Sequence, residues 1–215
     1  MSIELFGHPF SSYTWKALIG LYEAGTPFTF RNIAGDEHPE NEAAFLAHWP
    51  VGKFPLLVDE GVPLMESSVI VEHAAPAMVP DDPEHAREVR ILDRIFDNYV
   101  MTPMQAIVAE HLPFITPTPD HARIDRARAS LDKIYPWLDG RLSERQWAAG
   151  DSFTLADCSG APALFYADWA HPIPEEFTTL KSYRARVLAR PSVARVVDEA
   201  RPYRKLFPLG APDRD

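Results

Sequence analysis

Apolar residues recur along the first third of the chain in two alternating rhythms. Residues 3–6 form a short apolar run of strand character. Trp15, Leu18, Ile19 and Tyr22 then fall on one side of a helix that Gly25 stops. Residues 28–31 read as a second strand and residues 40–48 as a second helix. The stretch FPLLVDEGVPLME holds two more strands around a tight turn at Asp59-Glu60-Gly61, and SSVIVEHAA reads as a helix ending before Pro76. The order βαβ, α, ββα predicts a small sheet with helices on its faces over residues 1–78.

The rhythm changes after that. PAMVPDDP carries three prolines in eight residues and suits a linker, placed at residues 79–84. From residue 85 to 215 the period is helical throughout. Val89, Leu92, Ile95, Phe96 and Tyr99 make one stripe, with Pro103 expected to kink or end that helix. Ile124, Ala127, Leu131, Ile134 and Leu138 make another. The fold class expected is an α/β unit followed by an all-α helical bundle.

Composition narrows the function classes. With 46% hydrophobic and 24% charged residues the chain has enough apolar material for a sizeable core. The net charge of −10 leaves a nucleic-acid role without an electrostatic footprint. No apolar run approaches a membrane span, and no basic segment leads into an apolar stretch at the N-terminus, so a cytoplasmic protein off the membrane is expected. The single cysteine, Cys158, cannot form an internal disulfide. The eight histidines are scattered without ligand spacing, so no metal is expected. Residues 1–79 hold Lys16, Arg31 and Lys53 against ten carboxylates. An anion bound there must rely on few cations, on backbone N–H groups or on helix N-termini.

Four short stretches carry candidate chemistry, each beside a structural reading. In PFSSY a serine at a helix start is a favoured N-cap, or a hydroxyl offered to an anion past the first turn. In GKFPLLV the proline opens a strand, in trans or as a cis bond that turns the preceding backbone outward to pair with an extended peptide. In LMESSVIVEH, Glu66 and Ser67 are helix-start groups, or a grip on a zwitterion: ammonium on Glu66, carboxylate on Ser67. In AGDSFTLAD, Thr154 and Asp157 have capping-box spacing before a strongly apolar helix, which points to folding rather than chemistry.

The order of these motifs, followed by LKSYRARVLARPSVARV, resembles the cytosolic glutathione transferase superfamily across nearly the whole chain. The resemblance implies a thioredoxin-like N-terminal domain, a helical C-terminal domain, glutathione as cosubstrate and a homodimer. In the tyrosine branches the tyrosine ends the first strand, here near Gly7. In the cysteine branches the cysteine stands five residues before the basic residue of the first helix, and counting back from Lys16 gives Ser11. The theta-, phi- and zeta-like branches carry serine there, so Ser11 is the expected thiolate contact, with Ser12 and Tyr13 as alternates. Tyr13 departs from the zeta-like Ser-Ser-Cys pattern. By the same resemblance Phe54, before Pro55, pairs with the cysteinyl backbone, Lys53 meets the glycyl carboxylate, and Glu66 and Ser67 hold the γ-glutamyl end. The electrophile is expected in an apolar cleft between domains, with Phe10, Tyr99, Met101, Met104 and Phe114 as candidates. A glutathione-dependent isomerase or dehalogenase, and a non-catalytic module of this fold, are the alternatives.

The energetics of a serine-type site are adequate. Lowering a thiol pKa of about 8.5 by about two units takes about 2.7 kcal/mol of selective stabilisation. One hydrogen bond to a charged acceptor supplies about 1.5–3 kcal/mol. A helix N-terminus adds about 0.3–2 kcal/mol. The ligand brings the thiol, so the protein needs none of its own.

Overall fold

The computed structural model describes residues 3–35 and 38–215. β1 (Ile3–Gly7) runs into α1 (Ser12–Ala24) and returns as the parallel β2 (Thr29–Asn32). α2 (Pro39–His48) leads to the hairpin of β3 (Leu56–Asp59) and β4 (Val62–Met65), and α3 (Ser67–Ala74) follows. Strand order is β2-β1-β3-β4, with β1–β3 and β3–β4 antiparallel. Glu60 and Gly61 both have positive φ, which is what a two-residue hairpin turn requires. Gly25 caps α1 in the left-handed region, its N–H returned to Leu21 and Tyr22 carbonyls.

Period-two alternation sends side chains to both faces of the sheet. Phe6, Leu56 and Val58 pack with Phe45 of α2 on one face. Leu5 and Leu57 face α1 and α3, and the core they start is continuous with that of the helical half. The Trp15 ring of α1 lies 4.9 Å from Phe165, so the two halves share apolar contacts.

The helical half comprises α4 (Pro83–Ile95), α5 (Thr102–Ala109), α6 (His121–Arg141), α7 (Leu155–Ala170), α8 (Thr178–Leu188) and α9 (Pro191–Ala200), then a 3₁₀ segment, Arg201–Leu206. Together with the sheet unit this is the α/β-plus-helical-bundle architecture expected. A short 3₁₀ turn at Pro76–Met78 leaves only residues 79–82 irregular, so α4 starts inside the stretch read as linker. No described helix is long and apolar enough to cross a membrane.

Pro103 does not end its helix. The chain stays helical from 83 to 109 by way of a wide π turn, Phe96–Met101, after which the Thr102 N–H bonds five residues back to Asp97. The widened turn takes up the proline, whose missing N–H and bulky ring disrupt a regular α-helix. It also shifts the phase of the apolar stripe: Val100 and Met101 turn inward, while Tyr99 is 58% exposed.

α7 is the buried centre of the bundle. Asp157 within it accepts from the Thr154 N–H (2.9 Å), the Thr154 hydroxyl (3.2 Å), the Ala148 N–H (2.9 Å) and the Tyr183 hydroxyl (2.8 Å). Four donors on one buried carboxylate tie the start of α7 to the preceding loop and to α8.

Candidate active site

Strand register brings three turns to one end of the sheet. Phe6 pairs with Leu56, and Leu56 with Met65. The residues just beyond these pairs therefore lie side by side: Gly7 at the end of β1 and His8 after it, Pro55 and Phe54 before β3, and Glu66 after β4. The His8 and Phe54 rings are 6.3 Å apart, as that register requires.

Ser11 is the N-cap of α1, in extended backbone, and its Oγ accepts the Thr14 N–H at 3.3 Å. A hydroxyl that accepts keeps its own proton to donate, and this one is only half-buried. Ser12, the first residue of the helix, is buried. Tyr13 is half-buried, and burial, reinforced by Asp97, pushes its phenol up to about 12. The Arg94 charge and the Thr102 hydroxyl pull it weakly the other way. Tyr13 is thus a neutral phenol whose neighbours belong mostly to the helical half. A Cβ on Gly7 would stand 2.5 Å from Thr14 Cγ2, so β1 has no room to end in a tyrosine.

The Phe54–Pro55 peptide bond is cis. Lys53 beside it is exposed and forms no ion pair among the described residues. The other two cations of residues 1–79 are engaged: Arg31 donates to Glu4 at 2.7 Å, and Lys16 is buried in a cluster described below.

Glu66 has φ 70° and ψ 113° and is exposed, and its side chain makes no capping bond to α3. A non-glycine residue held there costs on the order of 1–3 kcal/mol. The simple capping reading of Glu66 therefore does not account for it. Ser67, the next residue, is buried at the first turn of α3.

A buried ionic cluster lies behind these turns, and sequence reasoning missed it. Lys16 Nζ is 2.5 Å from Asp93 and donates to Asp97 (2.8 Å) and to the Ser68 hydroxyl (2.7 Å). Ser68 donates to Asp93 at 2.9 Å, Arg94 donates to Ser68 and both aspartates, and Ser159 of α7 donates to Asp93. Burial opposes charge on Asp93, but Lys16, Ser159 and Arg94 together hold it below the usual carboxylate range. Asp97 goes the other way: burial outweighs Lys16, Asp93 repels it, and its Oδ1 is buried without a partner. The signal in the sequence was Asp93 and Asp97 at i,i+4 amid apolar residues, facing a lysine on an otherwise buried helix.

Three of the expected electrophile residues share the continuous core, Met101 and Met104 within it and Phe10 packed against it. Met101 (1% exposed) and Met104 (3%) belong to the core, a correction to their reading as cleft residues. They sit on the inner faces of a helical passage packed against α6 and α7, where flexible thioethers fill gaps. Phe114 is 82% exposed in the loop after α5. Tyr99 lines a groove of about 500 Å³ between the π turn, α5 and α6, with Thr102, Pro103 and Ala106 among its other walls. Phe10 packs edge-on against Tyr166, 5.3 Å away, and its carbonyl accepts the Tyr166 hydroxyl.

A small mixed sheet with three turns gathered at one end, joined to a helical bundle through a shared core, defines a two-part thioredoxin-like protein. The glutathione S-transferase N-terminal domain family matches residues 5–80, and the glutathione S-transferase C-terminal domain family matches residues 95–191. The chain belongs to the cytosolic glutathione transferase superfamily. It is 26% identical over 206 residues to glutathione S-transferase PARB of Nicotiana tabacum, covering 89% of this chain and 95% of that one. Glutathione transferase F7 from Populus trichocarpa superposes with a TM-score of 0.78 at 23% identity, over 92% of this chain and 98% of that one. A glutathione S-transferase-I bound with the ligand lactoylglutathione gives a TM-score of 0.77 at 23% identity, over 92% and 99%.

Proposed function

We propose that this protein conjugates glutathione to a small hydrophobic electrophile, with the Ser11 hydroxyl donating to the glutathione thiolate. The observation that carries the reading is the geometry of Ser11. Its oxygen caps α1 by accepting from Thr14, which leaves the hydroxyl proton free at the positive end of the helix. The thiolate's electron pair forms the new bond to the electrophilic carbon as the leaving group on that carbon departs with its own bonding pair, while the proton lost on thiol ionisation goes to solvent. No general base is needed, because stabilising the anion is sufficient at neutral pH.

The other assignments follow the same frame. Residues 1–78 bind glutathione: the Phe54 backbone takes the cysteinyl part, Lys53 the glycyl carboxylate, and Glu66 with Ser67 the γ-glutamyl end. Residues 85–215 supply most of the electrophile side, on which Tyr99 and Phe114 remain candidates, with Phe10 contributed by the N-terminal half. The active species is a cytoplasmic homodimer, and the exposed apolar side chains Val62, Val69 and Ile91 are candidates for burial by a second copy.

Titrating glutathione with the protein across pH, and following the ultraviolet absorbance of the thiolate, tests the proposal. A bound thiol pKa well below about 8.5 is expected. Absence of binding would overturn the reading and leave a non-catalytic module.

The backbone at Glu66 yields a separate expectation. Glu66→Gly removes a side chain from a positive-φ position, so stability against urea should rise by about 1 kcal/mol. Glutathione affinity should fall about tenfold or more, since a buffered ammonium contact is lost. Glutathione affinity left at the parent value in Glu66→Gly would remove Glu66 from the γ-glutamyl grip.

A further inference from the structure

The turn between β1 and α1 contains only His8, Pro9, Phe10 and Ser11, and every polar backbone group in it that can be traced has a specific partner. The Pro9 carbonyl accepts the Trp15 indole N–H at 2.7 Å, and the Phe10 carbonyl accepts the Tyr166 hydroxyl at 3.0 Å. The N–H groups of Phe10 and Ser11 both go to one residue. His8 Nδ1 accepts the Phe10 N–H at 3.0 Å, and the His8 carbonyl accepts the Ser11 N–H at 3.0 Å. His8 thus fixes the two peptide units immediately before the Ser11 side chain. The ring itself is held between Phe54 (27° between planes, 6.3 Å) and the edge of Tyr203 (5.6 Å), and the Tyr203 hydroxyl accepts from Asn32.

We infer that His8 is a positioning residue for Ser11, acting as a neutral imidazole whose Nδ1 lone pair shapes the turn, and that thiolate stabilisation is therefore lost on the acid side when this imidazole takes a proton. The inference rests on the proposed role of Ser11. Its chemistry is direct. An Nδ1 that accepts an amide N–H carries no proton, so the neutral ring bears its hydrogen on Nε2. A proton added at Nδ1 would place two donors face to face 3.0 Å apart, and the Phe10 bond must break. Sequence reading treated the histidines as scattered and gave this one no role; the turn shows that it does for the backbone what an asparagine or aspartate does in an Asx turn.

Burial lowers the pKa of His8 from its ordinary value. The titratable group facing it from the C-terminal segment is the Tyr203 phenol. Lys53 adjoins Phe54 in the chain and Arg204 adjoins Tyr203; burial, and none of these charges, is the cause of the shift. The sign follows: a lowered imidazole pKa means the folded turn favours the neutral ring. That contribution is complete above about 6.5 and is lost as pH falls through the lower, folded value.

The test compares the parent protein with His8→Leu and His8→Asn, reading the thiolate absorbance of bound glutathione and kcat and KM across pH. His8→Leu keeps bulk but has no acceptor, and kcat should fall about ten- to a hundredfold with less than about a twofold change in KM for glutathione. His8→Asn offers an oxygen to the same Phe10 N–H. It should recover most of the thiolate signal and lose the acid-side ionisation that the parent shows. In ¹⁵N-resolved spectra of the parent imidazole, Nδ1 should be unprotonated at neutral pH. Wild-type thiolate pKa and kcat in His8→Leu would overturn the inference, as would equal damage in the Asn and Leu variants or a proton on Nδ1. Ser11→Ala separates the two readings. If it abolishes activation and His8→Leu does not, only the positioning role fails; if Ser11→Ala is silent, the thiolate reading itself fails.

Discussion

Lys16→Met is expected to lower unfolding stability by about 3–5 kcal/mol, the usual consequence of removing one partner from a buried ion pair. Lys16 is 1% exposed and serves two aspartates and a serine contributed by α3, α4 and the π turn. Without it, Asp93 and Asp97 face each other in a dry site with Arg94, itself half-exposed, as the remaining cation among the described contacts. Urea unfolding followed by circular dichroism and by tryptophan fluorescence checks the magnitude. The deficit also has a pH signature. Lys16, with Ser159 and Arg94, holds Asp93 below the usual carboxylate range, so its contribution in the parent is present above that range and is lost as pH falls through the folded value. The gap between parent and variant should therefore narrow in acid.

Asp97→Asn is the internal control, because burial already disfavours its charge and one of its oxygens has no partner. Its effect should stay within about 1 kcal/mol, since the lost ion pair is offset by relief of the repulsion from Asp93. A Lys16→Met protein as stable as its parent would mean that the cluster is neutral in net effect. The cluster spans α1, α3, α4 and α7, so it couples the sheet half to the bundle through polar contacts.

The elements that could be read in the sequence were those whose cause is local. Gly25 ends α1 because a left-handed residue is needed there, and the Glu60-Gly61 turn follows from two consecutive positive φ angles. The position of Ser11, at the junction of an apolar strand and an amphipathic helix, was legible for the same reason. What could not be read depends on phase or on partners distant in sequence. One π turn displaced the α4 stripe, sending Tyr99 outward and Met101 inward. Lys16 counted in the sequence as one of three cations available to a ligand, and only α4 folding over α1 shows that it is occupied. His8 was overlooked because its role is an acceptor bond two residues along the chain, for which neither charge nor spacing gives a sign.

Ser11→Ala should raise the bound thiol pKa by about one to two units, the equivalent of the ~1.5–3 kcal/mol that a hydrogen bond to a charged acceptor provides. At pH near 6.5, kcat should fall about ten- to a hundredfold with little change in KM for glutathione, because the bond is made to the ionised sulfur and not to the peptide. The loss should shrink as pH rises past the variant's thiol pKa, where ionisation no longer limits either protein. Some activation should survive, since the α1 N-terminus still faces the sulfur. The same substitution removes an N-cap worth about 0.5–2 kcal/mol of stability, which by itself could depress activity. Ser11→Gly resolves this: glycine costs an N-cap only a few tenths of a kcal/mol yet lacks the hydroxyl, so its thiol pKa should match that of the alanine variant. Ser12→Ala should leave the thiol pKa at the parent value, the Ser12 side chain being buried in the first turn. A shifted pKa in Ser12→Ala with none in Ser11→Gly would transfer the role to Ser12, and the turn held by His8 would then be aimed at the wrong hydroxyl.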